Sequence, residues 1–314
     1  MSKDRSPEAQ LVEWGDRLFY PGNRIVKANT PRLHWGTSRA TMIRHRIEAI
    51  VRRAPQVMVK VTGGGRGMKA IAAHFRYITR NGRLEIEDDR GVVEQGSDAL
   101  RDIERQWRFG GAYIDDLGHR QEAFNIMLSM PKGTNPLILR KAVREFAKIE
   151  FADHRYVMVL HTHQANPHVH LSVKAESKHG ERLNPRKVDL HRWRETFAER
   201  LREWGIDAEA SRQAVRGAVR NYPGLWRKKA AEEGRERKAR PERKTGDAAA
   251  ASRKSAGQAW ANIAAALRVS PESGDQRLAL AIEQFVTGRA LDRHVLKEQP
   301  RPRPEPQRSF ERGR

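Results

Sequence analysis

LHTHQANPHVHLSV, residues 160–173, places four histidines within ten positions, on two short runs separated by Gln164, Ala165, Asn166 and Pro167. The flanking residues read as two strands, Tyr156 to His163 and His168 to Ala175, folded back on each other as a hairpin. Strand residues two apart point the same way, so His161, His163, His168 and His170 share one face. Simple pairing around the loop predicts His163 opposite His168 and His161 opposite His170. Opposed Cβ atoms in such a pair lie about 4.5–5.5 Å apart, close enough for several imidazoles to converge on one ion. Val169, Leu171 and Val173 take the other face and are predicted to enter the core. Two plainer readings compete: a surface hairpin whose histidines bind nothing, and a closed structural zinc site. Four histidines together weigh against the first. The second ordinarily draws on cysteine, of which the chain has none.

Outward from the hairpin, strand and helix signals alternate as in an α/β or α+β domain. VMVKVT at 57–62 reads as a strand, and the glycine run 63–67 as a flexible loop. Such a run could cradle phosphate through its amides, but it lacks the lysine and serine or threonine of a phosphate-binding loop. A helix is predicted from Met68 to Arg80, a short strand at 84–86, a helix over 98–109 and a strand at 124–130. Pro136 in the first turn and Leu137, Leu139, Val143 and Phe146 at near-helical spacing predict a helix from Asn135 to Glu150. A last helix, Val188 to Trp204, carries Leu190, Trp193, Phe197, Leu201 and Trp204 on one stripe, expected to be core. On Met68–Arg80 the apolar stripe is Met68, Ile71, Ala72, Phe75 and Ile78. Tyr77 projects from the other side.

The 314 residues carry 61 Lys and Arg against 39 Asp and Glu, a formal net charge of +22. That excess calls for an anionic partner, and nucleic acid fits it best. No apolar run approaches the length of a bilayer span, and MSKDRSPEAQ reads as a cytosolic start without a secretory signal. Five regions are expected: a basic leader (1–55) with a short helix from Ser38 to Arg53, a folded core (56–222), a charged linker (223–257), a small helical region (258–296) and a disordered basic tail (297–314). The helical region is built on Trp260, Ile263, Leu267, Leu278, Ile282 and Phe285.

HTHQANPHVH (161–170) resembles the three-histidine motif of conjugative relaxases, the mobilization nucleases, in particular the branch of the T-DNA border endonucleases. AIAAHFRYITRNGRLEIED (70–88) is similar to that branch's nucleophile motif and FNIMLSMPKGTN (124–135) to its middle strand. The stretch beginning GERLNPRKVDL also agrees, so the resemblance covers about residues 57–222. It implies a two-layer, palm-like antiparallel central sheet with flanking helices, His161, His168 and His170 as metal ligands and Tyr77 as nucleophile. Two positions depart from the pattern. His163 stands where an acidic residue is common, so another imidazole or a carboxylate elsewhere must orient His161. Asn125 stands where a histidine is expected. His163 and Asn125 are therefore candidates for an additional ligand or for support of the ligands.

The implied reaction is strand transfer. A tyrosine hydroxyl attacks a DNA phosphodiester, displaces the 3′-hydroxyl and leaves a 5′-phosphotyrosyl link that can be reversed. A divalent ion on neutral imidazoles would withdraw charge from the scissile phosphate. The resemblance implies Mg or Mn, whereas imidazole donors suit Mn, Zn or other transition ions. With an ordinary pKa of about 10, the tyrosine also needs a nearby cation or base. Arg66, Lys69, Arg76, Arg80 and Arg83 surround the nucleophile segment, and Arg182, Arg186 and Lys187 follow the histidines, as candidate contacts to single-stranded DNA. The family context implies a bacterial cytoplasmic protein acting at a transfer origin with relaxosome accessory proteins. It also implies a type IV secretion coupling protein as partner and export with the transferred strand, for which the tail is a candidate signal. A rolling-circle replication initiator or transposase would use the same chemistry, and a catalytically silent DNA-binding or assembly factor is the reading from another class.

Overall fold

The computed structural model describes residues 6–19, 38–218, 230, 233–235, 244 and 246–288. The tail 297–314, most of the charged linker, Tyr20 and Tyr222 lie outside the described residues. Six strands build one sheet: β1 (Met58–Arg66), β2 (Ile86–Asp88), β3 (Val93–Glu94), β4 (Gln121–Ser129), β5 (His154–His161) and β6 (His168–Ser177). Their order is β1-β4-β6-β5-β2-β3, with every neighbouring pair antiparallel. The histidine hairpin β5–β6 therefore lies inside the sheet.

Helices cover both faces, so the arrangement has three layers where the sequence predicts two. Period-two alternation along β6 explains why. Val169, Leu171 and Val173 pack with Leu139, Val143 and Phe146 of α5 (Pro136–Glu150) and with Trp193, Phe197 and Leu201 of α6 (Lys187–Glu203). The opposite face presents Ala123, Val157 and Val159 to α3 (Met68–Ile78) and α4 (Ser97–Phe109), through Ile71, Phe75, Ile78, Leu100, Ile103 and Trp107. Each fully buried Leu, Ile or Phe contributes about 1.5–3 kcal/mol, and a strand buried on both faces needs a helical layer on each. The start of α5 follows its sequence: Asn135 caps it by accepting from the Leu137 and Ile138 amides at 2.9 and 3.3 Å, and Pro136 takes the first turn.

Several local expectations change. The glycine run is not a loop, because β1 continues through it and Gly63, Gly64 and Gly65 pair with Asn125, Phe124 and Ala123. A Cβ on Gly65 would meet Ile71, so this glycine is what lets α3 lie close on the strand. The short strand falls at 86–88, two residues beyond its predicted start. Trp204 is not core: α6 ends at Glu203, the ring falls off the stripe and is exposed, and Lys141 Nζ lies 4.9 Å from its centroid.

The leader and the C-terminal helical region, separate in sequence, share one core. Leu11 and Leu18 of α1 (Pro7–Phe19) and Ile43, Ile47 and Ile50 of α2 (Arg39–Val51) pack on Trp260, Ile263 and Leu267 of α7 (Asp247–Arg268) and on Leu278 and Ile282 of α8 (Ser273–Val286). Arg44 bridges α2 to Asp275 through two bonds of 2.7 and 2.8 Å. Buried Arg46 reaches the sheet unit, 2.9 Å from Glu195 and 3.3 Å from Glu209. Removing one member of such a network strands buried charge at a cost of about 3–5 kcal/mol. Arg46→Ala is thus expected to lower unfolding stability by about 3 kcal/mol in urea titrations. A change below about 0.5 kcal/mol would show that this contact does not tie the two cores together.

Candidate metal centre and tyrosine site

The hairpin's register differs from simple pairing by two residues. His161 faces His168, Val159 faces His170, and the chain from Thr162 to Pro167 makes a longer connection. That connection is anchored on the end of β4, where the Pro167 carbonyl accepts from the Met130 amide and Ser129 Oγ, and Asn166 Oδ1 accepts from the Lys132 amide. A slip of two keeps every side chain on its face, whereas a slip of one would have inverted the set. The histidines therefore still converge.

His161, His168 and His170 each offer a ring nitrogen, and these atoms all lie within 4.8 Å of one another. The carbonyl of Ile78 accepts from His161 Nε2 at 2.6 Å, which leaves Nδ1 as the donor atom to a ligand. His168 Nδ1 donates to the Asn166 carbonyl at 3.1 Å, leaving Nε2. His170 Nδ1 is buried without a hydrogen-bond partner. Two rings fixed by outer hydrogen bonds and a third with an unsatisfied buried nitrogen are a donor set that fits a divalent ion. The backbone of Ile78, rather than a carboxylate or His163, orients His161. His163 lies at the rim, its ring centroid 5.0 Å from His161 and 6.2 Å from His168, outside the convergent three. Asn125 is on the histidine face but one pair further along, where its Oδ1 accepts from Ser172 Oγ at 3.2 Å.

Helix α3 delivers Tyr77 to the same place. Its apolar stripe is buried as predicted, and Tyr77 on the other side is 71% exposed, with its ring centroid 6.4 Å from that of His170. The Ile78 carbonyl that holds His161 belongs to the very next residue, so one turn of backbone links the tyrosine to the imidazoles. Beyond the helix, Arg80, Asn81 and Gly82 all adopt positive φ. Such a conformation costs a non-glycine residue about 1–3 kcal/mol. It folds the chain back so that Arg76, Arg80 and Arg83 join Tyr77, His161, His163, His168 and His170 around a pocket of about 610 Å3. The remaining predicted cations are elsewhere. Arg66 and Lys69 are exposed at the far end of α3. Arg182 is committed to Glu122, Glu176 and the Gln121 carbonyl. Arg186 and Lys187 are exposed at the start of α6.

His74, which no sequence motif marks, sits between the two halves of the site, with ring centroids 6.2 Å from Tyr77 and 6.3 Å from His170. Its spacing three residues before Tyr77 on a helix was the available signal. Burial pushes His74 down to about 4. It pushes His170 down to about 3, with the neighbouring imidazoles His161, His168, His74 and His163 adding to the effect. Both rings are thus neutral, the form that binds metal. Because the folded values lie below the ordinary 6.5, the unfolded chain takes up these protons first as pH falls. This contribution to stability is complete above about pH 6.5 and is lost as pH drops towards 4 and 3. The urea midpoint of chelator-treated protein is expected to fall across that window, and less steeply for His74→Gln. Equal slopes for the two proteins would exclude His74 as a source.

Comparison with known proteins places this geometry. Residues 77–206 match the model of the relaxase nuclease domain described as MobA/VirD2-like, a span that opens on Tyr77 and contains all three histidines. The matched region is thus similar to relaxase nuclease domains. The chain is also similar to the T-DNA border endonuclease VirD2 of Agrobacterium fabrum, 25% identical over 183 residues, which cover 52% of this chain and 41% of that protein. The chain thus spans under half the length of that relative. The matched region of this chain carries a three-histidine group that could hold a metal ion, and no helix among the described residues is long and apolar enough to cross a membrane.

Proposed function

We propose that this protein is a DNA relaxase that nicks one strand at a transfer origin and remains attached through Tyr77. The observation that carries the reading is the pocket itself, where an exposed tyrosine stands beside three convergent imidazoles and among Arg76, Arg80 and Arg83. In the reaction, Tyr77 Oη bonds to phosphorus as the bond from phosphorus to the 3′ oxygen breaks. The tyrosyl proton goes to solvent, the departing 3′ oxygen takes one up, and a phosphodiester is exchanged for a phosphodiester. Since no bond energy is released to water, the step reverses and the ends can be rejoined.

The residues divide the work. Arg80 and Arg83, in the pocket beside Tyr77, hold the phosphate in line with the hydroxyl, an ordering that needs no covalent chemistry of their own, while Arg76 is held by Glu104 at 3.0 Å. His161, His168 and His170 would hold a divalent ion, Mg or Mn as in the family or a transition ion as the donors favour. When bound, that ion supplies charge withdrawal at the scissile phosphate. Ile78 and Asn166 keep two of the imidazoles in the required tautomer through their carbonyls. Single-stranded DNA is the substrate that the likeness to relaxases favours, since a duplex would keep the scissile phosphate among stacked bases. Mobilization of a linked origin, accessory relaxosome proteins, a type IV coupling protein and travel with the strand follow from the likeness to a T-DNA border endonuclease.

The test is a denaturing gel for a covalent protein–DNA adduct, using single-stranded oligonucleotides that tile the candidate origin, with Mn or Mg and with chelator. A shifted band that requires metal supports the reading. Tight binding without an adduct under any ion would favour the non-catalytic DNA-binding factor instead. DNA synthesis primed from the nick in cells would favour the replication initiator.

A further inference from the structure

Among the described residues, four Phe, Tyr and Trp side chains are exposed: Tyr77, Phe109, Tyr113 and Trp204. Three of them belong to the α3–α4 layer that overlies the histidine face of the sheet. Phe109, at the end of α4, is 65% exposed and Tyr113 is 58% exposed, with their ring centroids 5.9 Å apart and their planes at 39°. The Arg108 guanidinium, which pairs with Asp116, lies 6.0 Å from the Phe109 ring, and the Arg155 guanidinium lies beside Gly110. Two large aromatic faces left in water beside cationic planes are unusual for a segment that merely closes a turn.

The segment is also held firmly. Lys174 of β6 is buried on the same strand face as His168 and His170, and its Nζ donates to the carbonyls of Trp107, Gly110 and Ala112 at 3.2, 3.2 and 3.0 Å. A few residues on, the Asp115 and Asp116 carbonyls accept from the Met68 and Lys69 amides and so cap α3, while Ile114 is buried. Tyr113 is thus pinned on both sides. This anchoring accounts for the loop's backbone, but it does not require exposed rings at 109 and 113.

We infer that Phe109 and Tyr113 form a stacking platform for the bases of a single DNA strand whose scissile phosphate lies at Tyr77. Two rulers give the distance from the site to the points that anchor this segment, Met68 and Lys174. Along α3, from Met68 at the capped end to Tyr77, a rise of 1.5 Å per residue gives about 14 Å. Along β6, from His170 to Lys174, a rise of about 3.3 Å per residue gives about 13 Å. At the stacked spacing of about 3.4 Å, that is about four nucleotides from the cut. Base–aromatic stacking is indifferent to sequence and suits the strand's chemistry, and the chain's net charge of +22 complements its phosphates.

The inference rests on the proposed single-strand substrate, so binding is measured apart from cleavage. The full chain carrying Tyr77→Phe, in chelator, would be titrated into a fluorescein-labelled oligothymidylate across a salt series, with thermal melting to check each variant. Phe109→Ala and Tyr113→Ala are expected to weaken binding about tenfold each. The slope of affinity against salt should not change, because no phosphate contact is removed. Phe109→Trp should restore binding and Phe109→Leu should not, since leucine keeps apolar area but has no π face. Alanine variants that bind as tightly as the parent overturn the platform alone, as does full rescue by leucine, which would point to an apolar protein-docking patch. A parent that binds no single strand overturns both the platform and the relaxase reading.

Discussion

Tyr77→Phe is expected to abolish the covalent adduct, with single-turnover cleavage reduced at least about 10⁴-fold, because the substitution deletes the attacking atom and nothing else. The ring is 71% exposed, so unfolding stability should stay within about 0.5 kcal/mol of the parent. No other described tyrosine is placed to substitute. Tyr156 is buried, faces the α5–α6 side of the sheet and has its hydroxyl pushed up to about 12 by that burial. Tyr113 stands at the opposite end of α3. The check is quantitative adduct formation on an origin oligonucleotide, together with peptide mapping of the modified residue in the parent. An adduct that persists in Tyr77→Phe would keep the transesterase and move its nucleophile.

His168→Ala carries the second large effect. Three imidazoles converge, and removing one leaves two neutral donors that hold an ion weakly. Metal-supported cleavage is expected to fall about 10³-fold, the scale of several kcal/mol of charge stabilisation. Metal stoichiometry should fall with it. In the parent, saturating ion at about a hundred times its dissociation constant should stabilise the fold by about 2.7 kcal/mol, and this increment should vanish in the variant. His163→Ala supplies the contrast: its ring sits at the rim, so its effect should stay below about tenfold. Elemental analysis and metal-dependent melting, read beside cleavage, separate a lost ion from a damaged fold. Retention of full metal stoichiometry by His168→Ala, or a larger loss in His163→Ala, would redraw the ligand set.

The sequence carried much of this because its strongest signals are periodic. A period of two put His161, His168 and His170 on one face and Val169, Leu171 and Val173 on the other, and that assignment survived an error of two residues in register. A helical period put Tyr77 opposite a buried stripe on α3. Asn135 and Pro136 announced the start of α5 through local capping chemistry. In each case the cause acts within a few residues of the residue it governs.

What the chain folds against is a different matter. The glycine run reads as a flexible loop until β4 lies beside it, and Gly65 has a reason only once Ile71 packs above it. The leader helices carry apolar stripes with no local indication that α7 and α8, some two hundred positions later, supply the other half of their core. His74 became part of the site only when α3 was laid on β6. The Ile78 carbonyl, which no side-chain motif can encode, took the orienting role that the sequence assigned to a side chain. Local pattern determined which residues face together, because side-chain direction is set by backbone geometry over one or two turns. The tertiary structure alone decided which faces meet, because those contacts depend on burial between segments far apart in the chain.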